Sequence, residues 1–272
     1  MNLAFINVKS DGSIESASVR SRLREVRETA HQHGVKVLVS MTIAYQAIQT
    51  ESTRNKAVNN LLAFVEEHEL DGIDIDYELY DKIGPNLIDF VQALSSKKGR
   101  KMLLTCAVAP WNPTTAGGYS KSWHKYFDII NIMAYDLHGG KEGQHSSFDS
   151  AINSINVWTK QLDAPAYKLT LGLPFYGYTW DEEAFPGMFG EQLDYRIILR
   201  KYLKMYPEEK VWEKDQMGKT YYNGQETIKR KCQATMQYGL GGVMIWQLFH
   251  DAYEEEYVKY SLMNAIKEGL KQ

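Results

Sequence analysis

Three carboxylates repeat at a spacing of two within the segment LDGIDIDYE, residues 70–78: Asp74, Asp76 and Glu78. Acidic residues are depleted from strands and seldom buried without partners. Side chains alternate across a strand, so these three share one face, while Ile73, Ile75 and Tyr77 share the other. Alternate residues stand roughly 6.6 Å apart, close enough for neighbouring carboxyls to lean together. Three ionised carboxylates in a low-dielectric interior repel one another, so at least one should keep a proton at neutral pH. A carboxyl held protonated by its neighbours suits general-acid catalysis, and the outermost, Glu78, is the expected donor with the aspartates tuning it. Two plainer uses compete: a hard-cation site of the Mg²⁺ kind and a structural ladder paired with buried basic residues. No second acidic cluster converges on the segment, and the neighbouring strand patterns carry few inward Lys or Arg, so both are disfavoured. Asp71 falls out of phase, at the beginning of the strand.

A strand that carries such a ladder needs a scaffold. Apolar runs bounded by turn residues predict strands near 2–8, 35–41, 71–78, 101–109, 128–135, 167–175 and 241–249. Between them, amphipathic periodicity predicts helices near 16–33, 53–69, 85–97, 148–162 and 224–238, with a shorter one near 120–126. Gly34 reads as the cap that ends the first helix, and Pro85 as a residue of a first helical turn. Near-continuous apolar strands alternating with helices imply a parallel sheet covered by helices. With no Gly-rich phosphate loop, the pattern favours a TIM (β/α)8-type barrel, an α/β fold, over a doubly wound sheet. Inward residues at the C-terminal ends of its strands then face the reaction site. Only seven strands are readable where such a barrel needs eight. The irregular stretch 178–223, with a helical run at 192–205 and a short hairpin around VWEKDQMGKTYY, reads as a small rim insertion after the seventh strand. No repeat, linker or composition shift marks a second domain, so 1–272 is read as one catalytic barrel domain.

Bulk properties narrow the function classes. A net charge of −3 and the lack of a basic tract give no reason to expect nucleic acid. No apolar run approaches the roughly 20 residues of a membrane span. Two cysteines, Cys106 and Cys232, lie in apolar segments without metal-ligand spacing and read as buried free thiols. Eighteen Tyr and six Trp supply flat apolar faces with a polar tip, suited to ordinary core packing first and to stacking on sugar rings as well.

DGIDIDYE resembles the D-G-x-D-x-D-x-E signature of glycoside hydrolase family 18, the chitinase-like family. The similarity extends along nearly the whole chain: NLAFINV with DGSI looks like the family's second strand and KVLVSM its third. MAYD (133–136) looks like the sixth, LGLPFYG (171–177) the seventh and GLGGVMIW (239–246) the eighth. The resemblance implies Glu78 as acid/base, Asp76 as the partner that orients the substrate's acetamido group, and Asp74 as the inner charge-tuning residue. It implies that Tyr135 hydrogen-bonds the acetamido carbonyl with Asp136 beside it, that Trp246 floors the central sugar site, and that Phe5 and Met133 line it. Tyr176, Trp111 and Trp180 are further candidate sugar-stacking aromatics. The implied mechanism is retaining and substrate-assisted, and needs neither metal nor cofactor.

Three departures from the family pattern matter. Ser40 is followed by MTIA where Ser-x-Gly-Gly is usual, Tyr77 stands where Trp is common, and the family's first strand has no counterpart ahead of Met1. A barrel lacking that strand, with a gap between the strands near 2–8 and 241–249, is therefore expected in this chain. The expected activity is hydrolysis of β-1,4-linked N-acetylglucosamine glycans, chitin or chitooligosaccharides, by a monomer. An endo-β-N-acetylglucosaminidase acting on N-glycan chitobiose cores and a non-catalytic chitin-binding lectin are the alternatives. Export from the cell, with the signal outside this sequence, is expected.

Overall fold

The N-terminal apolar run forms β1 (Asn2–Val8) at its predicted bounds, then turns back through a two-residue strand, β2 (Ile14–Glu15), paired antiparallel to it with Val8 opposite Ile14. Chain order continues with α1 (Ala17–Gln32), β3 (Leu38–Ile43), α2 (Gln46–Gln49), α3 (Glu51–Glu67), β4 (Gly72–Asp76), α4 (Pro85–Lys97), β5 (Leu103–Val108) and β6 (Ile129–Ile132). The structure, a computed structural model, describes residues 1–271. Its contacts group into two compact units, Met1–Asn131 with Lys160–Lys168, and Ile132–Thr159 with Leu169–Gln272.

In the first unit the helices obey local rules. Helix α1 buries Val19, Leu23 and Ala30 along one side, and ends where Gly34 takes a left-handed φ of +70°. Thr50 caps α3 by accepting from the Thr53 N–H at 3.2 Å, and Pro85 opens α4 as expected. The parallel strands β1, β3, β4 and β5 lie side by side in that order, in a register that aligns Ser40, Asp74 and Thr105 on adjacent strands. Ile73, Ile75, Leu104 and Cys106 are buried, and both cysteines are free thiols.

The second unit contains α5 (Phe148–Asn156), β7 (Leu169–Pro174), β8 (Tyr176–Thr179), β9 (Glu191–Asp194), α6 (Tyr195–Met205), β10 (Gln216–Met217), β11 (Thr220–Tyr221), α7 (Gln225–Gln237), β12 (Gly242–Trp246) and α8 (Leu262–Gly269). Strands β7 and β12 pair in parallel with Gly172 opposite Met244. Eight strands in all belong to a mostly parallel sheet, giving an α/β fold. Seven of these are the predicted ones, and the eighth is the antiparallel return β2, too short to read from periodicity.

The insertion is more structured than a helix and a hairpin. The expected hairpin forms as β10 and β11, but it is half of a four-stranded antiparallel sheet in the order β10-β11-β8-β9. Its outer strand β9 occupies the first residues of the run predicted as helical from 192. Helix α6 buries Tyr195, Ile198, Leu199 and Tyr202, and the Tyr202 hydroxyl bonds Asp181 at 2.8 Å and Thr220 at 2.7 Å. Among the described residues no helix is long and apolar enough to cross a membrane.

Candidate active site

The ladder of carboxylates spans three environments. Asp74, 3% exposed on β4, accepts from Ser40 Oγ at 2.7 Å, Thr105 Oγ1 at 2.5 Å and Asn131 Nδ2 at 3.2 Å. The first two donors follow directly from the β3–β4–β5 register, and none of the three is basic. Burial pushes the Asp74 carboxyl up, and these hydrogen bonds oppose it. Ser40, which precedes the MTIA departure from the family pattern, is thus one of the groups that hold the inner aspartate.

Asp76 is the last residue of β4 and is 9% exposed. Its neighbour across the ladder is Ala107, which offers no side-chain donor, and Asp76 Oδ1 is buried without a hydrogen-bond partner among the described residues. Burial, then the charges of Glu78 and Asp74, raise its pKa to about 7. Burial thus favours the protonated form at both inner carboxyls, and at Asp76 no hydrogen bond among the described residues opposes it. Glu78 lies two residues past the strand end and is exposed, with Oε2 accepting from the Tyr80 hydroxyl at 2.9 Å. The strand had been expected to run on to Glu78; it stops at Asp76, and the side chain of Tyr77 is buried.

Trp111, 43% exposed, meets the Tyr80 ring edge-on at 5.3 Å between centroids. Phe5 is half-buried where the β1–β3 register shifts, and its carbonyl accepts from Ser18 Oγ at 2.6 Å. Tyr80 was missed by sequence reasoning, since a tyrosine in an irregular loop has no periodicity to mark it.

In the second unit, the chain leaves β6 through tight turns, with the Tyr135 N–H donating to the Met133 carbonyl at 2.8 Å. Met133 and Tyr135 are both buried. Tyr135 reaches its place because β7 carries Gly172, where any Cβ would stand 2.8 Å from the Tyr135 ring and 2.4 Å from the Ile132 carbonyl. The Tyr135 hydroxyl contacts Met244 Sδ at 3.8 Å, and its ring meets Tyr176 edge-on at 6.0 Å.

Asp136 adopts φ +60°, a left-handed conformation that Asp tolerates better than most residues. Its Oδ1 accepts from the hydroxyls of Tyr176 at 2.7 Å and Tyr178 at 2.9 Å, and lies 3.5 Å from His145 Nδ1. Burial alone would raise this carboxyl, but the hydrogen bonds of His145, Tyr176 and Tyr178 outweigh it and hold it below the usual range. His145 is fully buried, and burial keeps its imidazole below the ordinary histidine value. Tyr178 and His145 were not anticipated, although Tyr178 repeats the phase of Tyr176 along β8. Trp246 ends β12 opposite Pro174, and its carbonyl accepts from the Phe175 N–H at 2.8 Å. Trp180 is buried, with its ring against those of His138 and Tyr221.

The structure thus gathers two groups. Asp74, Asp76, Glu78 and, through Tyr80, Trp111 form one; Tyr135, Asp136 and Tyr176 form the other. Among the described residues no group of three or more His, Cys, Asp or Glu is arranged to hold a metal ion. The chemistry available is proton transfer from an exposed carboxyl beside a buried one whose pKa is raised, and polarisation by phenols and a hydrogen-bonded carboxylate.

Comparison with known proteins gives these groups a context. The family described as Glycosyl hydrolases family 18 matches residues 1–251. A chitinase from Bacteroides thetaiotaomicron superposes with a TM-score of 0.88 at 37% identity, over 99% of this chain and 87% of that one. The chitinase ChiB from the chitin utilization locus of Flavobacterium johnsoniae gives 0.77 at 30% identity, over 99% and 85%. An endochitinase of Brugia malayi is 26% identical, with 94% of this chain matched to 61% of the relative's length.

Proposed function

Because the chain belongs to the glycosyl hydrolases of family 18, we propose that it hydrolyses β-1,4-linked N-acetylglucosamine glycans with Glu78 as acid/base. The observation that carries the reading is the pair at the end of β4: an exposed Glu78 next to a buried Asp76 whose pKa is raised to about 7. Glu78 protonates the glycosidic oxygen as the bond to the anomeric carbon breaks. The substrate's own acetamido oxygen forms the new bond to that carbon, giving a cyclic oxazolinium ion. Asp76 and Tyr135 take the roles that the family pattern gives them, Asp76 orienting the acetamido group and Tyr135 donating to its carbonyl oxygen. A buried carboxyl near its midpoint at neutral pH suits Asp76 to share a proton with an amide N–H as charge develops there. Water then attacks the anomeric carbon with Glu78 as base, and configuration is retained. No step calls for a metal or a cofactor.

Within the same chemistry, chitooligosaccharides are favoured over N-glycan cores by the two chitinases matched at 30% identity or more. The test compares wild type and Glu78→Gln on chitooligosaccharides and on a high-mannose glycopeptide. Wild type is expected to release reducing ends from chitooligosaccharides, and the variant to lose about 10²-fold or more. Cleavage of the glycopeptide alone would move the substrate to N-glycan cores. Binding without cleavage of either would make the protein a lectin, and activity surviving in Glu78→Gln would remove the role given to Glu78.

A further inference from the structure

Past the end of β4 the chain folds back sharply. The Tyr80 N–H donates to the Glu78 carbonyl at 2.9 Å, and a single 3-10 turn follows over Tyr80–Lys82. This turn carries the Tyr80 hydroxyl to 2.9 Å from Glu78 Oε2. On its other side the Tyr80 ring rests against the edge of Trp111, 5.3 Å between centroids. An exposed glutamate on an irregular segment would otherwise sample several rotamers, and ordering such a side chain costs conformational entropy. Burial, followed by the charge of Glu78, pushes the Tyr80 phenol far above its ordinary range, so its O–H remains a donor.

We propose that Tyr80 is a positioning residue for the acid/base: it pins Glu78 Oε2 as a hydrogen-bond acceptor and so leaves Oε1 as the oxygen that delivers the proton. The inference rests on the reading of Glu78 as acid/base. In the first step the Oε1 proton passes to the leaving oxygen, which keeps the electron pair of its broken bond to the anomeric carbon, and Glu78 becomes a carboxylate. The Tyr80 O–H then supports that negative charge through a charge-assisted hydrogen bond. In the second step the carboxylate takes a proton from the attacking water at the same oxygen. Trp111, expected to stack on substrate, acquires a second task as the wall against which Tyr80 is held.

Leaving-group dependence separates this role from a structural one. A sugar alcohol needs full protonation to depart, whereas 2,4-dinitrophenolate leaves with little help. Tyr80→Phe keeps the ring against Trp111 and removes only the hydroxyl. Steady-state kinetics of this variant should show kcat on chitotetraose reduced about tenfold, the scale of one hydrogen bond to a charged group. On the 2,4-dinitrophenyl chitobioside kcat should stay within about threefold of wild type, with KM similarly unchanged on both. An equal loss on both substrates, or no loss on either, would overturn the proposal. Glu78→Gln assayed alongside tells the two failures apart: activity of that variant on chitotetraose would overturn the acid/base reading itself. An inactive Glu78→Gln with a fully active Tyr80→Phe would overturn only the role of Tyr80.

Discussion

Asp74, Asp76 and Glu78 are the same kind of group at a spacing of two, yet each has a different neighbourhood, and the sequence spacing alone could not distinguish them. The shared face and the need for a bound proton were legible, because alternation and Coulomb repulsion require nothing but the strand. Which carboxyl is hydrogen-bonded was not legible, because it depends on what stands opposite: Thr105 beside Asp74 and Ala107 beside Asp76. The consequence can be measured as stability against pH. The folded chain holds the Asp76 proton up to about pH 7, whereas an unfolded aspartate releases it near 3.8. Between those values the folded state binds more protons, so stability falls as pH rises through the window. At about 1.4 kcal/mol per pKa unit, the loss is at most about 4 kcal/mol. Asp76→Asn cannot titrate. In urea unfolding, its stability relative to wild type should therefore grow between about pH 4 and pH 8, and a difference that stays flat would contradict the assignment.

The main strands and helices were predicted to within a few residues, because apolar runs and capping residues act locally. Elements stabilised by tertiary context escaped. Strands β2, β10 and β11 are two residues each, and β9 hid inside a helical pattern. Helix α8 carried a usable signal, Ser261 ahead of the buried residues Leu262, Ala265 and Ile266, which went unread. The segment bearing His145 illustrates how elements hold a loop in place. Lys231 on α7 is fully buried and donates to the Ser146 carbonyl at 2.8 Å, to Ser146 Oγ at 2.7 Å and to Asn223 Oδ1 at 2.7 Å. Ser146 Oγ in turn donates to the Ala134 carbonyl at 2.6 Å, beside Tyr135 and Asp136. Burial lowers the Lys231 amine to about 7, with Asp215 opposing. Below that pH both folded and unfolded chains hold the proton; between about 7 and 10.5 the unfolded chain holds more, so stability rises with pH there. Wild type should thus gain on Lys231→Met by up to about 3 kcal/mol between pH 6 and about pH 9. A pH-independent difference in denaturant midpoints would show that Lys231 does not titrate in this range.

At the scale of the whole molecule, membership of family 18 was legible from several short motifs in order, each tied to a strand end. The matched family covers residues 1–251, and the chain spans 61% of the length of the Brugia malayi endochitinase. What no motif encodes is the insertion's four-stranded sheet, whose pairings join residues as far apart as Tyr178 and Tyr221. Nor could composition foresee that tyrosine supplies the hydrogen bonds to both Glu78 and Asp136. The proposed reaction has a stereochemical signature that none of these structural details can mimic. Participation by the substrate's acetamido group requires two displacements at the anomeric carbon, and therefore net retention. Proton NMR of chitotetraose digested by wild-type protein, read in the first minutes before mutarotation, should show newly formed reducing ends as the β anomer. Appearance of the α anomer first, or no new reducing ends at all, would contradict the account.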